Sequence, residues 1–323
     1  MENQKPALLF ARRIDKFLEK AIPFFAPLGV TLGVLLPMVF QHIRPYIPVI
    51  FAVITLSGSL RLRARELGKA AASPVPILFF FFTAHVLTPL MVFFIARFLF
   101  GDDPDTIAGF VLLYSMPTAV TGFIWVSIFN GDIALSLAIV LIDTVLAPVV
   151  VPGTVRLLLG TSVQLNMMGM AVSLVFMIAI PTLVGVTINE TSHGKIPKIV
   201  SPWLNPIAKF CMIMSIAANC SAVADQFRLD NARLWVIFPI SISFIVMCFT
   251  LAKLASIAGR FSKERQITLF FATGLRNIGA AMTLGIQFFP PAAALPAVLG
   301  ILLQQTTAVI MGRLLLKKIE KAE

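Results

Sequence analysis

Apolar stretches of roughly 20 residues, the length that crosses a hydrocarbon core of about 30 Å, follow one another from Ala21 to Lys317 with only short polar gaps between them. A chain patterned this way folds as helices in lipid, where every backbone N–H and C=O must be satisfied internally. Ten candidate spans cover residues 21–41, 47–61, 73–99, 105–130, 132–156, 167–189, 203–226, 233–256, 265–288 and 293–316. Only 13% of the 323 residues are charged, against about 25% in a soluble domain. The gaps near 157–166 and 190–202 are too short for a separate soluble domain. The chain reads as one all-α transmembrane domain over 1–323.

The net charge of +11 does not point to nucleic acid, which requires a basic face on a soluble surface. With the spans as drawn, 19 basic residues share the side of the N-terminus: Lys5, Arg12, Arg13, Lys16, Lys20, Arg61, Arg63, Arg65, Lys69, Lys195, Lys198, Lys253, Arg260, Lys263, Arg265, Arg313, Lys317, Lys318 and Lys321. Only 5 lie opposite: Arg44, Arg97, Arg156, Arg228 and Arg233. The positive-inside rule then predicts a multi-pass protein of the cell (inner) membrane, in contact with its lipids, with both termini cytoplasmic. The basic N-terminal segment has no short apolar core followed by a small-residue cleavage site, so no removable signal peptide is expected. Cys211, Cys220 and Cys248 lack paired or metal-type spacing and read as small buried hydrophobes, with no disulfide and no metal.

An internal echo at an offset of about 157 residues relates the segment from Phe79 to Gly122 to that from Phe238 to Gly279. Each segment ends in a span interrupted by helix breakers, Pro117 and Gly122 in the fourth and Gly274, Asn277 and Gly279 in the ninth. Each interrupted span then turns into a long one, through Asn130-Gly131-Asp132 or Pro290-Pro291. An offset of five spans puts the copies in opposite orientations. The expected architecture is therefore ten transmembrane helices in two inverted five-helix repeats, 21–160 and 165–318, with helices four and nine discontinuous and a binding site near the midplane.

Depth counted at about 1.5 Å per residue places Asp143, eleven residues beyond Asp132, and Arg276, eleven beyond Arg265, near mid-membrane. Gln304 and Gln305 reach a comparable layer from the opposite face. An ionised side chain there costs at least about 2.5 kcal/mol unless it is paired or faces water. Arg276 is open to two readings: a planar donor fork offered to a carboxylate or sulfonate, or a permanent partner of Asp143 that locks two helices. Asp143 is equally open, as a counter-ion or as a group that exchanges a proton. His85, without a companion histidine in its span, reads as a satisfied buried side chain. Lys209 can snorkel, and Gly29 and Gly33 mark close helix packing or a dimer contact. No motif supports catalysis, so no catalytic residue is expected.

Several landmarks carry a family likeness: Ser59-Leu60-Arg61-Leu62 after the second span, Pro89 in the third, Pro117 in the fourth and Gly131-Asp132-Ile133-Ala134-Leu135-Ser136 opening the fifth. Pro148, Gly274-Leu275-Arg276-Asn277 in the ninth span and Pro296 at the tenth complete them. Over 46–160 and 268–312 the chain resembles the bile acid:sodium symporter family. The resemblance implies two inverted halves of five spans, organic-anion substrates such as bile acids or small carboxylates, and two sodium ions held where the fourth and ninth spans cross. The sodium ligands of that family transfer poorly. Its Ser-Asn pair aligns with Gly122-Phe123. Of its Ser and Thr ligands in the fifth span Ser136 remains, while the threonine becomes Val140. In the ninth span its glutamate becomes Ala272 and its glutamine Arg276, with Asn277 retained.

Hard cations need several oxygen ligands, so sodium coupling is expected to be weak or absent, with no other cofactor. Arg276 is expected to supply the positive charge in place of sodium, with Asp143 as counter-ion. Substrate-binding residues are then Arg276, Asn277, Gln304, Gln305, Thr118 and Thr121, with Asp143 and Ser136 in coupling. The leading expectation is an alternating-access carrier of a small organic anion, as monomer or homodimer. Its rivals are a proton-coupled or auxin-efflux-like exporter and a non-transporting membrane sensor or assembly protein.

Overall fold

Prolines open many of the helices, because the N–H that proline lacks has no intrahelical partner in a first turn. The structure, a computed structural model, describes residues 6–63, 74–101, 103–160, 166–227 and 231–316. Lys5, Arg65, Lys69, Arg228, Lys317, Lys318 and Lys321 of the charge asymmetry lie outside the described residues, as do the bounds 165 and 318 of the second repeat. In chain order the helices are α1 (Pro6–Leu35), α2 (Pro37–Ser59), α3 (Pro74–Leu99), α4 (Pro104–Ser115), α5 (Gly122–Ile128) and α6 (Ile133–Leu159). They continue as α7 (Met167–Thr191), α8 (Lys195–Cys220), α9 (Ala232–Ala258), α10 (Lys263–Gly274), α11 (Ile278–Phe288) and α12 (Pro291–Leu316). Among the described residues seven helices, α2, α3, α6, α7, α8, α9 and α12, are long and apolar enough to cross a membrane.

Two expected boundaries move. The gap expected at 42–46 is a 3-10 continuation of α2 over Gln41–Tyr46, and the chain interrupts its helix at Leu36 instead, at φ −123° and ψ 50°. Pro37 is the reason, since a following proline disfavours the helical conformation. The span expected to begin at 203 starts at Lys195, after Gly194 in the left-handed region at φ 77°. Lys195 and Lys198 therefore belong to a helix and not to a loop.

The chain forms two compact units. The first contains residues 1–64 and 174–225, and so α1, α2, most of α7 and α8. In it α1 runs along α8, and Gly29 and Gly33 form the contact. A Cβ on Gly29 would stand 2.8 Å from that of Ile216, and one on Gly33 would run into the Ala217 carbonyl. Lys209 does not snorkel alone: its Nζ lies 2.6 Å from Oδ1 of Asp15, whose Oδ2 accepts from Asn205 Nδ2 at 3.0 Å. Asn205 in turn accepts from the Ser57 hydroxyl at 3.0 Å.

The second unit contains residues 65–173 and 226–323. Its core is aromatic where α5, α9, α10 and α12 meet, around Phe249, Phe270 and Phe271. Gly274 allows α10 to end against α9, because a Cβ there would penetrate the Phe249 ring. Helix starts are capped by side chains: Asp103 accepts from Thr106 N at 3.1 Å, and Asp132 from Leu135 N at 3.0 Å. Arg233, near the start of α9, pairs with Asp103 and donates from Nη2 to the Thr106 hydroxyl at 2.9 Å.

Candidate functional site

Two helix interruptions in the second unit face each other. The first, residues 116–121 between α4 and α5, begins where Pro117 holds Met116 in an extended conformation, at φ −61° and ψ 152°. The second, residues 275–277 between α10 and α11, begins with Leu275 at φ −102° and ψ 111°. Two short extended segments cannot satisfy their backbone within themselves, and here they satisfy each other. Thr118 and Arg276 form an isolated antiparallel bridge, in which Ala119 N donates to Leu275 O at 3.0 Å and Asn277 N to Pro117 O at 2.8 Å. The Thr118 hydroxyl adds a bond to Leu275 O at 3.2 Å. Gln304 of α12 closes the other side of Arg276: its Oε1 accepts from Arg276 N at 2.9 Å, and its Nε2 donates to Arg276 O at 3.1 Å.

Arg276 is buried, 1% exposed as a residue. Its Nη1 donates to Met116 O at 3.2 Å and its Nη2 to Ala84 O at 2.7 Å, while Nε has no partner among the described residues. Both acceptors have a local cause. Met116 stands at the C-terminal, electronegative end of α4. Ala84 lies in a π-helical turn of α3, Phe82–Leu87, where the wider winding changes which carbonyls are bonded within the helix.

Asp143 of α6 is fully buried and makes no ion pair with Arg276. Its Oδ2 accepts from Thr118 N at 2.7 Å, and its Oδ1 lies 2.7 Å from His85 Nε2 without the alignment of a hydrogen bond. The His85 ring stacks on Phe81 at 5.4 Å and meets Phe80 edge-on at 5.9 Å.

Of the residues expected to bind substrate, Arg276, Thr118 and Gln304 meet in this buried crossing. Asn277 is half-buried and caps α11, accepting from Ala280 N at 3.3 Å. Gln305 is exposed and accepts from Trp125 Nε1 at 2.9 Å, and Thr121 is exposed at the start of α5. Ser136 is buried on α6, seven residues before Asp143 and so on the same face two turns away, but outside the bonded cluster. Sequence reasoning missed His85 as a partner of Asp143. The available signal was a third ionisable group in the middle of a span.

Residues 48–228 match the family described as the Sodium Bile acid symporter family. The chain is 35% identical over 297 residues to the "Uncharacterized protein YbaS" of Bacillus subtilis (strain 168), covering 91% of this chain and 96% of that one. It is 23% identical to the "Uncharacterized sodium-dependent transporter YocS" of the same organism, over 97% and 96% of the two chains. It is also 26% identical to the "Probable sodium/metabolite cotransporter BASS3, chloroplastic" of Oryza sativa subsp. japonica, over 76% of this chain and 57% of that one.

Proposed function

The chain belongs to the sodium bile acid symporter family, a family of transporters and not of enzymes, and from that premise we propose that it carries an organic anion by alternating access without requiring sodium. The supporting observation is the guanidinium of Arg276, held between the carbonyl oxygens of Met116 and Ala84 where the two interruptions cross. A hard cation is bound by several such oxygens. Here a tethered cation takes them, and it stays with the protein through the cycle. Transport then needs no bound sodium to hold the two interruptions together.

The pairing of the interruptions also supports the reading as inverted repeats. Thr118 and Leu275 are 157 positions apart, the offset of the internal echo, and an antiparallel pair has a local two-fold axis at its centre. Two inverted five-helix halves with interrupted fourth and ninth spans carry such an axis in the membrane plane. On this reading both termini are cytoplasmic and the membrane is the cell (inner) membrane. Relatives named as sodium/metabolite cotransporters support a small metabolite as the solute, and the positive charge of Arg276 favours a carboxylate-type or bile-acid-like anion. The exposed Thr121 and Gln305 and the half-buried Asn277 would touch the anion. Arg276, Thr118 and Gln304 would form the charged scaffold beneath them.

Counterflow of a panel of labelled carboxylates in proteoliposomes tests this. Exchange above that of protein-free vesicles for at least one carboxylate is expected. No exchange for any of them, with correctly folded protein, would favour a membrane sensor or assembly role instead.

A further inference from the structure

We propose that His85 and Asp143 form a proton-binding site whose occupancy changes during the transport cycle, so that the proton is the coupling ion; this rests on the reading of the chain as a carrier. Both side chains are buried, 5% and 0% exposed, and they approach at 2.7 Å. The carboxylate is satisfied on one oxygen only, by Thr118 N, and its second oxygen faces the imidazole. The imidazole makes no hydrogen bond from Nδ1, which is buried without a partner among the described residues, and its ring lies on Phe80 and Phe81. A histidine present only for packing would direct at least one nitrogen into an ordinary hydrogen bond. This one is held against an anion with a free second nitrogen, which is the arrangement that binds a proton reversibly.

The step balances simply. A proton from water adds to the neutral imidazole, which becomes an imidazolium beside the Asp143 carboxylate, and the same proton leaves to water on the other side. Arg276 from the second interruption lies within electrostatic reach of Asp143, and Tyr114 from α4 and Cys248 from α9 lie within reach of Arg276. Lys253 lies further along α9 and bonds Gln266. With Arg276 cationic and Asp143 anionic the cluster is neutral, and protonation of His85 gives it one net positive charge.

The backbone links this site to the crossing. Thr118 donates its N–H to Asp143 and also forms the bridge to Arg276. Any movement that opens the bridge shifts that N–H and changes the environment of the carboxylate, and with it the proton affinity of the pair. Proton release and rearrangement of the interruptions are then one event.

Two measurements on the full-length protein test the proposal. The chain has three histidines, so NMR of protein with 15N-labelled imidazoles identifies His85 as the signal missing from His85→Gln. That signal is expected to switch between the neutral and protonated forms within the pH range over which the protein stays folded, and to respond to Asp143→Asn. In proteoliposomes, for a carboxylate that shows counterflow, an imposed pH gradient should shift the steady-state distribution by up to about tenfold per pH unit at one proton per solute. His85→Gln should lose that shift while counterflow stays measurable. A His85 signal that keeps one form throughout, or a wild-type distribution indifferent to the gradient, overturns the proposal. Absence of counterflow for every carboxylate overturns the carrier reading itself, and the NMR titration, which needs no solute, still decides whether the pair takes up a proton.

Discussion

The two units both place ionisable side chains inside helical packing, and they satisfy them in different ways. In the first unit Asp15 meets Lys209 directly at 2.6 Å, with Asn205 and Ser57 extending the network. Both charges retain some exposure, 15% and 20%. In the second unit Arg276, Asp143 and His85 lie buried around one crossing, and the arginine and aspartate do not pair. Arg276 is held by carbonyls and Asp143 by a backbone N–H, all at helix interruptions or a π-turn. A direct ion pair fixes two helices to each other. Charges held by the backbone of interrupted helices respond when that backbone moves, as an alternating-access carrier requires.

Replacing the central cation should have the largest effect. Arg276→Ala leaves the Met116 and Ala84 carbonyls without their donors, at about 1–3 kcal/mol each, and removes the buried charge proposed to lie beneath the anion. Counterflow is expected to fall to the level of empty vesicles, with a clear drop in thermal unfolding temperature. Arg276→Lys should recover only part of the flux, because a compact ammonium does not reproduce the two-armed fork. Normal transport by Arg276→Ala would remove the distinction between the units. Next is Gln304→Ala, which unpairs both polar groups of the Arg276 backbone. It should lower stability by about 2–6 kcal/mol, at about 1–3 kcal/mol for each group, measured by thermal unfolding in detergent, and slow counterflow more than it weakens solute binding. Trp125→Phe deletes the bond to Gln305 at an exposed position, so a change of about 0.5–1.5 kcal/mol in apparent solute affinity is expected, with little effect on unfolding. The smallest effect belongs to the first unit. Lys209→Met, which leaves Asp15 its bond from Asn205, should lower the unfolding temperature and leave the transport rate unchanged. A loss of flux comparable to that of Arg276→Ala would mean that the Asp15 pair also moves in the cycle.

Much of this was legible in the sequence for local reasons. Pro117 and Gly274 mark their interruptions because proline and glycine act on the backbone next to them. Arg276 was conspicuous because a guanidinium eleven residues into an apolar run must have a partner. The partners were not legible. Gln304 bonds the backbone of Arg276, not its side chain, and nothing in the residue types of α12 shows that. The acceptor at Ala84 depends on a π-turn, for which no composition signal exists. His85 and Asp143 stand on different helices and meet only through packing, so a lone histidine read as inert. The helix stop at Leu36 was displaced for the opposite reason: the polar run from Gln41 to Pro45 looked like a loop, while Pro37 controlled the geometry.

The central claim is that Arg276 does in place what a bound sodium ion would do. It is tested most directly by uptake of a counterflow-positive carboxylate into proteoliposomes, with sodium present and with sodium fully replaced by choline, in the wild type and in Arg276→Gln. Equal wild-type rates in the two media, together with a loss of sodium-free uptake in Arg276→Gln, are the predicted result. Wild-type uptake that stops when sodium is removed would contradict the claim.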